Sequence, residues 1–530
     1  MHLSSESELV LLTLLVAVAA MVVAAPRLRI PYPILLVLGG LALGFLPGMP
    51  NLELPPDLVL VAVLPPLLYA GTFFTSLHEL KLNLRPIGLL AVGLVITTTV
   101  AVAVVAHELI DDLPWASAFV LGAIVSPTDP VAATAIAHRF GVPRRLVAIV
   151  EGESLINDGT ALVAYRFAVA AVVTGAFSIW DAGLEFVVDV AGGILVGLAV
   201  GWVIRQVRRR LNNPPIEITL ALLSGYLAYL PAELLHVSAV LAAVTVGIYM
   251  GSHTSELTTA QTRVQGDAVW EIVVFVLNAL LFVLVGLQLP VILDELSGQP
   301  AGTLLGYGAA VSATVILVRI AWVYPATYLP RRLSRRIRER DPSPPWQYPA
   351  FISWTGMRGA VSLAAALAVP MATDTGAPFP GRDLILFLSF SVILVTLVGQ
   401  GLTMPLVIRW LGLEVDERVA HEEAKARIKA AEAALARLEQ LTAEDWVRDD
   451  TAERIRGLYT FRRNRFAARF DDGDDGALEE RSVAYQRLVR ELLDAERETL
   501  EALRREGRIS SEVAQRVVRD LDLEDLRLDA

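Results

Sequence analysis

Long runs of Leu, Val, Ala, Ile and Gly alternate with short polar or Pro/Gly-rich breaks from the N-terminus to about residue 410. Each run is near the ~20 residues that cross a bilayer as a helix. The apolar windows fall at 8–25, 31–47, 58–77, 86–107, 114–138, 145–174, 183–204, 215–231, 237–252, 267–289, 301–325, 349–370 and 383–409, which reads as thirteen spans. Beyond residue 410 the pattern changes to Glu, Asp, Arg and Ala. Charged helices are expected over 415–441 and 477–505, separated by Asp471–Gly476, followed by a short helix with Ser510 or Ser511 as N-cap. The fold expected is an all-α polytopic membrane protein, with a transmembrane domain over 1–410 and a helical cytoplasmic tail over 411–530 that serves regulation or dimer contact.

Composition strengthens this picture. Hydrophobic residues make up 54% of the 530-residue chain and charged residues only 19%, too apolar for a soluble enzyme of this size. The tail carries most of the acidic excess behind the net charge of −11. With no cysteine, disulfides, thiolate-bound zinc and iron–sulfur clusters are excluded; the seven histidines show no close pairing, and no nucleotide-binding motif is visible. No cofactor and no nucleic-acid partner are expected. The acidic Asp471–Gly476 stretch lacks the final glutamate of a calcium loop and reads as a solvated linker. Leu9 to Ala25 could be a signal peptide, but Glu6 and Glu8 precede it with no Lys or Arg, so it reads as a retained first span.

Basic residues sort the loops. Arg27 and Arg29; Lys81 and Arg85; Arg139, Arg144 and Arg145; Arg205 to Arg210; Arg263; and Arg331 to Arg340 all fall in odd-numbered loops. Even-numbered loops hold essentially Arg382 alone, among acids such as Glu53, Asp57, Asp111 and Glu233. Cytoplasmic loops collect Lys and Arg, which places the N-terminus outside and the tail in the cytoplasm.

Two windows carry interruptions. Ser126-Pro127-Thr128-Asp129-Pro130 places two prolines around a Thr-Asp pair in the fifth span, and Thr355-Gly356-Met357-Arg358-Gly359 places two glycines around an arginine in the twelfth. The first could be a simple proline kink. Spans seven apart cross in opposite directions, so two interrupted helices are also what inverted six-helix repeats, spans 1–6 and 8–13, would produce, with the breaks meeting near the midplane.

The sixth span concentrates charge: Glu151-Gly152-Glu153-Ser154-Leu155-Ile156-Asn157-Asp158. Intramembrane charge is costly and points to function. At 100° per residue, Glu151, Ser154 and Asp158 lie within about 60° of one another, and Glu153 with Asn157 on a neighbouring stripe. Ser154 and Asp158 can offer a hydroxyl and a carboxylate to one small hard cation. Glu153 needs a partner, for which Arg358 is the candidate; Asn157 could hold a helix break or accept the same arginine. A buried ion cluster that only ties helices together is the alternative. Asp129, Glu153 and Asp158 against Arg358 leave net negative charge, which suits a cation or proton site. Arg166 and Arg319 are given no role.

At these residues the chain resembles the monovalent cation:proton antiporters of the NhaP and Na⁺/H⁺-exchanger type. The resemblance rests on Ser126 to Ala132, Glu153 to Gly159 and Gly356 to Ser362, and covers roughly residues 8–410. It implies a homodimer whose six-helix core moves past a dimerisation domain in a bacterial cytoplasmic membrane. It further implies that Asp158 binds Na⁺ or a proton, with Ser154 and the carbonyl of Thr128 as ligands, Asp129 as a site and dipole-compensating acid, and Glu153 with Arg358 as a structural pair. Asn157 before Asp158 resembles the electroneutral branch. One departure is Ala70, after Pro65-Pro66-Leu67-Leu68-Tyr69, where some archaeal relatives carry a glutamate. The activity expected is Na⁺ (or Li⁺)/H⁺ antiport at Asp158. Rival readings are K⁺/H⁺ antiport by the same machinery, an ion channel, and an organic-anion carrier using Arg358, Arg319 or Arg166. No Ser/His, metal or paired-aspartate motif suggests an enzyme.

Overall fold

The computed structural model describes residues 5–28, 30–46, 58–175, 179–296, 299–413, 417–468 and 477–529. Arg29, Glu53, Asp57 and the acidic linker Asp471–Gly476 lie outside them. The chain divides into two compact units, Met1–Val415 and Asp416–Ala530.

In the first unit, helices follow the apolar windows. The first half runs α1 (Ser5–Leu28), α2 (Tyr32–Gly44), α3 (Leu64–Phe73), α4 (Leu77–Leu82), α5 (Leu84–Gly88), α6 (Val95–Leu109), α7 (Trp115–Val125), α8 (Val131–Arg139) and α9 (Arg144–Thr174). The second runs α10 (Ile179–Arg208), α11 (Pro214–Leu234), α12 (Ala239–Leu257), α13 (Ala260–Glu295), α14 (Ala301–Leu333), α15 (Arg335–Arg340), α16 (Gln347–Trp354), α17 (Ala360–Leu367), α18 (Arg382–Leu394) and α19 (Gly401–Leu411). π-helical turns at Leu58–Val63, Leu89–Leu94 and Val395–Gln400 join neighbouring segments. Among the described residues, seven helices are long and apolar enough to cross a membrane by themselves, and shorter apolar helices occupy other windows.

The buried apolar residues form two large clusters. The larger unites α2, α6 to α9, α13, α14 and α16 to α19; the smaller unites α3 and α10 to α12 with Trp270 of α13. Outer faces carry exposed Leu195, Trp202, Leu223, Leu230, Leu305 and Leu317, as expected of a surface whose solvent is lipid. Where helices in lipid pack closely, small residues let the backbones approach. A Cβ at Gly40 of α2 would collide with the carbonyl of Val283, and one at Gly286 of α13 with that of Val37.

On the side of the Arg-rich loops, Asp341 gathers three helices. It accepts from Arg85 of α5 at 2.7 Å, Arg145 of α9 at 2.9 Å and Arg331 of α14 at 2.7 Å. Partial burial pushes its carboxyl up, but the Arg145 hydrogen bond and the charges of Arg145, Arg331 and Arg85 outweigh this and hold it below the usual carboxylate range.

The second unit contains α20 (Glu417–Leu441), α21 (Asp449–Ala468), α22 (Ala477–Arg505) and α23 (Ser511–Asp529). Its α21 is an addition to the sequence reading. Arg427 of α20 stacks on Phe466 of α21 at 4.7 Å, and Leu493, Leu521 and Leu528 bury the α22–α23 hairpin. Ser510 caps α23, its hydroxyl accepting from the Val513 N–H at 3.2 Å.

Candidate ion-binding site

Both interruptions are true breaks. The helix ends at Val125 and resumes at Val131; the second ends at Trp354 and resumes at Ala360. Breaking a helix in lipid frees backbone groups that need partners, and each break supplies the other. The Asp129 N–H donates to the Met357 carbonyl at 2.8 Å, and Arg358 Nε donates to the Val125 carbonyl at 2.9 Å. Asp129 Oδ1 accepts from the Val131 N–H at 2.9 Å, placing negative charge at the start of α8, while Arg358 places positive charge at the end of α7. The two chains touch so closely that a Cβ at Gly359 would collide with Asp129 Oδ2.

The expected pairing of Glu153 with Arg358 is corrected. Glu153 binds Arg319, which donates from both terminal nitrogens, from Nη2 to Oε2 at 2.8 Å. Arg358 is occupied with the Val125 carbonyl and, through Nη1, with the Gly356 carbonyl, while its own N–H donates to Thr396 Oγ1 at 3.1 Å. Arg319 also donates through Nε to the Ile352 carbonyl at 3.0 Å, near the end of α16. The two buried guanidinium groups therefore hold the ends of two half-helices, and Arg319 alone also takes the acid. In the sequence, the signal for Arg319 is a lone charge in an apolar run; nothing local tells which acid it meets.

Asn157 and Thr128 extend this network. Asn157 Nδ2 donates to Thr128 Oγ1 at 2.8 Å, and Thr128 Oγ1 donates to Glu153 Oε1 at 3.3 Å. Asn157 thus meets Thr128 rather than an arginine. Arg166 lies elsewhere, 45% exposed, 3.5 Å from Glu233 and 3.9 Å from Asp189.

Asp158 stands outside the network. It is only 8% exposed and makes no hydrogen bond or ion pair among the described residues. It lines a cavity of about 520 Å³ between the two apolar clusters. The wall from α8, α9, α17 and the first break is polar, with Thr128, Asp129, Thr134, Ser154, Asp158 and Ser362. The facing wall from α3 and α13 is Leu64, Leu67, Leu68, Ala70, Val274 and Leu281, together with Asn278, a residue the sequence reading did not single out. The lining reaches exposed Gly71, Phe74, Ala135 and His138, at the ends of α3 and α8 next to the Arg-rich loops. No Arg or Lys lines it.

Two broken helices that cross beside a buried carboxylate in an apolar, all-helical unit are the architecture of a secondary membrane transporter. The chain belongs to the sodium/hydrogen exchanger family, whose transmembrane profile matches residues 11–410. A protein of Mycobacterium bovis described as an uncharacterised Na(+)/H(+) exchanger is 38% identical over 525 residues, covering 98% of this chain and 96% of that one. A sodium, potassium, lithium and rubidium/H(+) antiporter of Bacillus subtilis is 36% identical over 390 residues, 71% of this chain and 58% of that one. The sodium proton antiporter MjNhaP1 of Methanocaldococcus jannaschii shares the fold, with a TM-score of 0.62 at 20% identity, over 78% of this chain and 99% of that one.

Proposed function

We propose that this integral membrane protein exchanges Na⁺ for H⁺, one for one, by alternating access, with both ions competing for Asp158. The observation that carries this reading is the isolation of Asp158: a carboxylate removed from water and given no protein partner needs a proton or a cation. Ser154, one turn earlier on the same wall, adds a hydroxyl oxygen. The Thr128 hydroxyl is committed to Glu153 and Asn157, so its main-chain carbonyl is what it offers an ion. Asp129 adds negative charge while it caps α8. The neutral Asn157 is bonded to Thr128, which leaves Asp158 to hold either ion and favours electroneutral exchange. The absence of Arg and Lys from the lining disfavours an anion carrier.

K⁺ is the second reading, favoured by the potassium in the name of the Bacillus relative and by Ala70, which adds no carboxylate to the cavity wall. The protein is further proposed to work as a homodimer in a bacterial cytoplasmic membrane, N-terminus outside, with the tail as a cytoplasmic regulatory domain; the alternation of basic loops supports this orientation.

Reconstituted protein tests the site. Na⁺ should dissipate an imposed pH gradient, and Asp158→Asn should abolish this. Competition requires the KM for Na⁺ to rise about tenfold per unit of falling pH once Asp158 is mostly protonated, with maximal rate unchanged. Full exchange by Asp158→Asn would overturn the assignment.

A further inference from the structure

Among the residues that α3 and α13 give to the cavity lining, Asn278 is the polar one. The side chain comes from the middle of α13, between cavity-lining Val274 and Leu281, and the residue is 6% exposed. A carboxamide carries two donors and an acceptor with two lone pairs, and buried ones normally find protein partners. Asn278 makes no hydrogen bond among the described residues. Its polar atoms are not among the sealed, unsatisfied ones, so they face the cavity. Thr128 is taken by Asn157 and Glu153, and Glu153 by Arg319, so none of these serves Asn278. Packing does not explain Asn278 either, since a leucine would continue the wall formed by Val274 and Leu281.

From this we infer that Asn278 is a cation ligand supplied from the α3–α13 side, whose amide oxygen completes the coordination of the alkali ion at Asp158 and sets which ion is preferred. The inference rests on ion binding at Asp158. Three features support it. Hard monovalent cations take oxygen ligands. A neutral amide adds a dipole without adding charge to a cavity already lined by Asp129, Glu151 and Asp158. Where carbonyl-type oxygens coordinate alkali ions, their number and field strength contribute to discrimination. Ala70 gives the same wall no side-chain oxygen, so from α3 and α13 that contribution comes from Asn278.

The test is transport by full-length protein in proteoliposomes with Na⁺, Li⁺ and K⁺, each over a range of concentrations. Asn278→Ala is expected to raise the KM for Na⁺ about tenfold, the scale of one lost bond to a charged group, to change the Na⁺/Li⁺/K⁺ ratio, and to leave kcat within about twofold. Asn278→Gln should restore part of the affinity, and Asn278→Leu should not. Unchanged KM values and ion ratio in Asn278→Ala would overturn the inference. So would loss confined to kcat or to thermal stability, which a purely structural amide would give. Asp158→Asn run alongside separates the two claims: its inactivity together with an unaltered Asn278→Ala sinks only the role of Asn278, whereas its full activity sinks the site itself.

Discussion

The guanidinium of Arg319 binds the carboxylate of Glu153 with both terminal nitrogens while its Nε reaches the Ile352 carbonyl at 3.0 Å. One cation thus neutralises an acid on α9 and closes the end of α16. Both side chains are almost completely buried, at 0% and 1% exposure.

Removing one partner of such a pair leaves the other charge stranded. Arg319→Leu should therefore destabilise the protein by about 3–5 kcal/mol, read as a lowered unfolding temperature of the detergent-purified protein. The double variant Arg319→Leu with Glu153→Leu should recover much of the loss, because no charge is then left alone. Equal stability of the single variant and the parent would contradict the pairing.

Gly359 faces Asp129 with no space for a methyl group, whereas nothing lies within 4 Å of a Cβ at Gly306 of α14. Gly359→Ala should force the two breaks apart, cost about 1–3 kcal/mol and abolish exchange. Gly306→Ala, on an open helix face, should leave exchange intact and stability equal or slightly higher. Vesicle assays and thermal melts of both variants would decide; normal exchange by Gly359→Ala would show that the crossing tolerates displacement.

Thr128 both accepts from Asn157 and donates to Glu153. Thr128→Val keeps its shape but leaves the buried Asn157 amide donor without its partner and removes one of the bonds to Glu153, which keeps Arg319, at about 1–3 kcal/mol. Thr128→Ser should retain both bonds and most of the stability. A valine variant as stable as the serine variant would argue against the relay.

Asp341 gives a prediction about pH. Its carboxyl lies below the usual range in the folded protein, so its contribution to stability is complete above the unfolded value of about 3.9 and fades as pH falls through the folded one. Asp341→Asn should therefore lower the unfolding temperature by a constant amount between pH 5 and 8, with the difference from the parent disappearing only in acid. Since the carboxylate is 24% exposed, the effect is about 1 kcal/mol and should shrink in high salt. A deficit that grew steadily from pH 6 to pH 8 would require a different titrating group.

The parts legible in the sequence are those with local causes. Pro127, Pro130, Gly356 and Gly359 mark the helix breaks because proline and glycine act on their own backbone, and the acids of α9 stand out against apolar neighbours. The partner of Glu153 was illegible: Arg358 lies in the conspicuous motif, but the Val125 carbonyl claims it, and that competition exists only once α7 and α16 cross. Asn278 escaped notice because a single amide in an apolar window becomes informative only when its lack of a partner can be seen. In the tail, α21 was missed because its many arginines obscure the apolar side that carries Phe466.

The one-sided cavity has an electrical consequence. Ala161 and Val163 of α9, Phe282 and Val283 of α13 and Leu363 to Ala366 of α17 are buried apolar residues, while the cavity lining is exposed at Ala135 and His138. If these residues close the cavity on its far side, the membrane potential falls mostly across them rather than along the open entrance, at about 2.3 kcal/mol per charge per 100 mV. Under the proposed exchange at Asp158, an ion moving between the entrance and that carboxylate would then do little electrical work, and the voltage sensitivity of a turnover would be concentrated in the step that switches access.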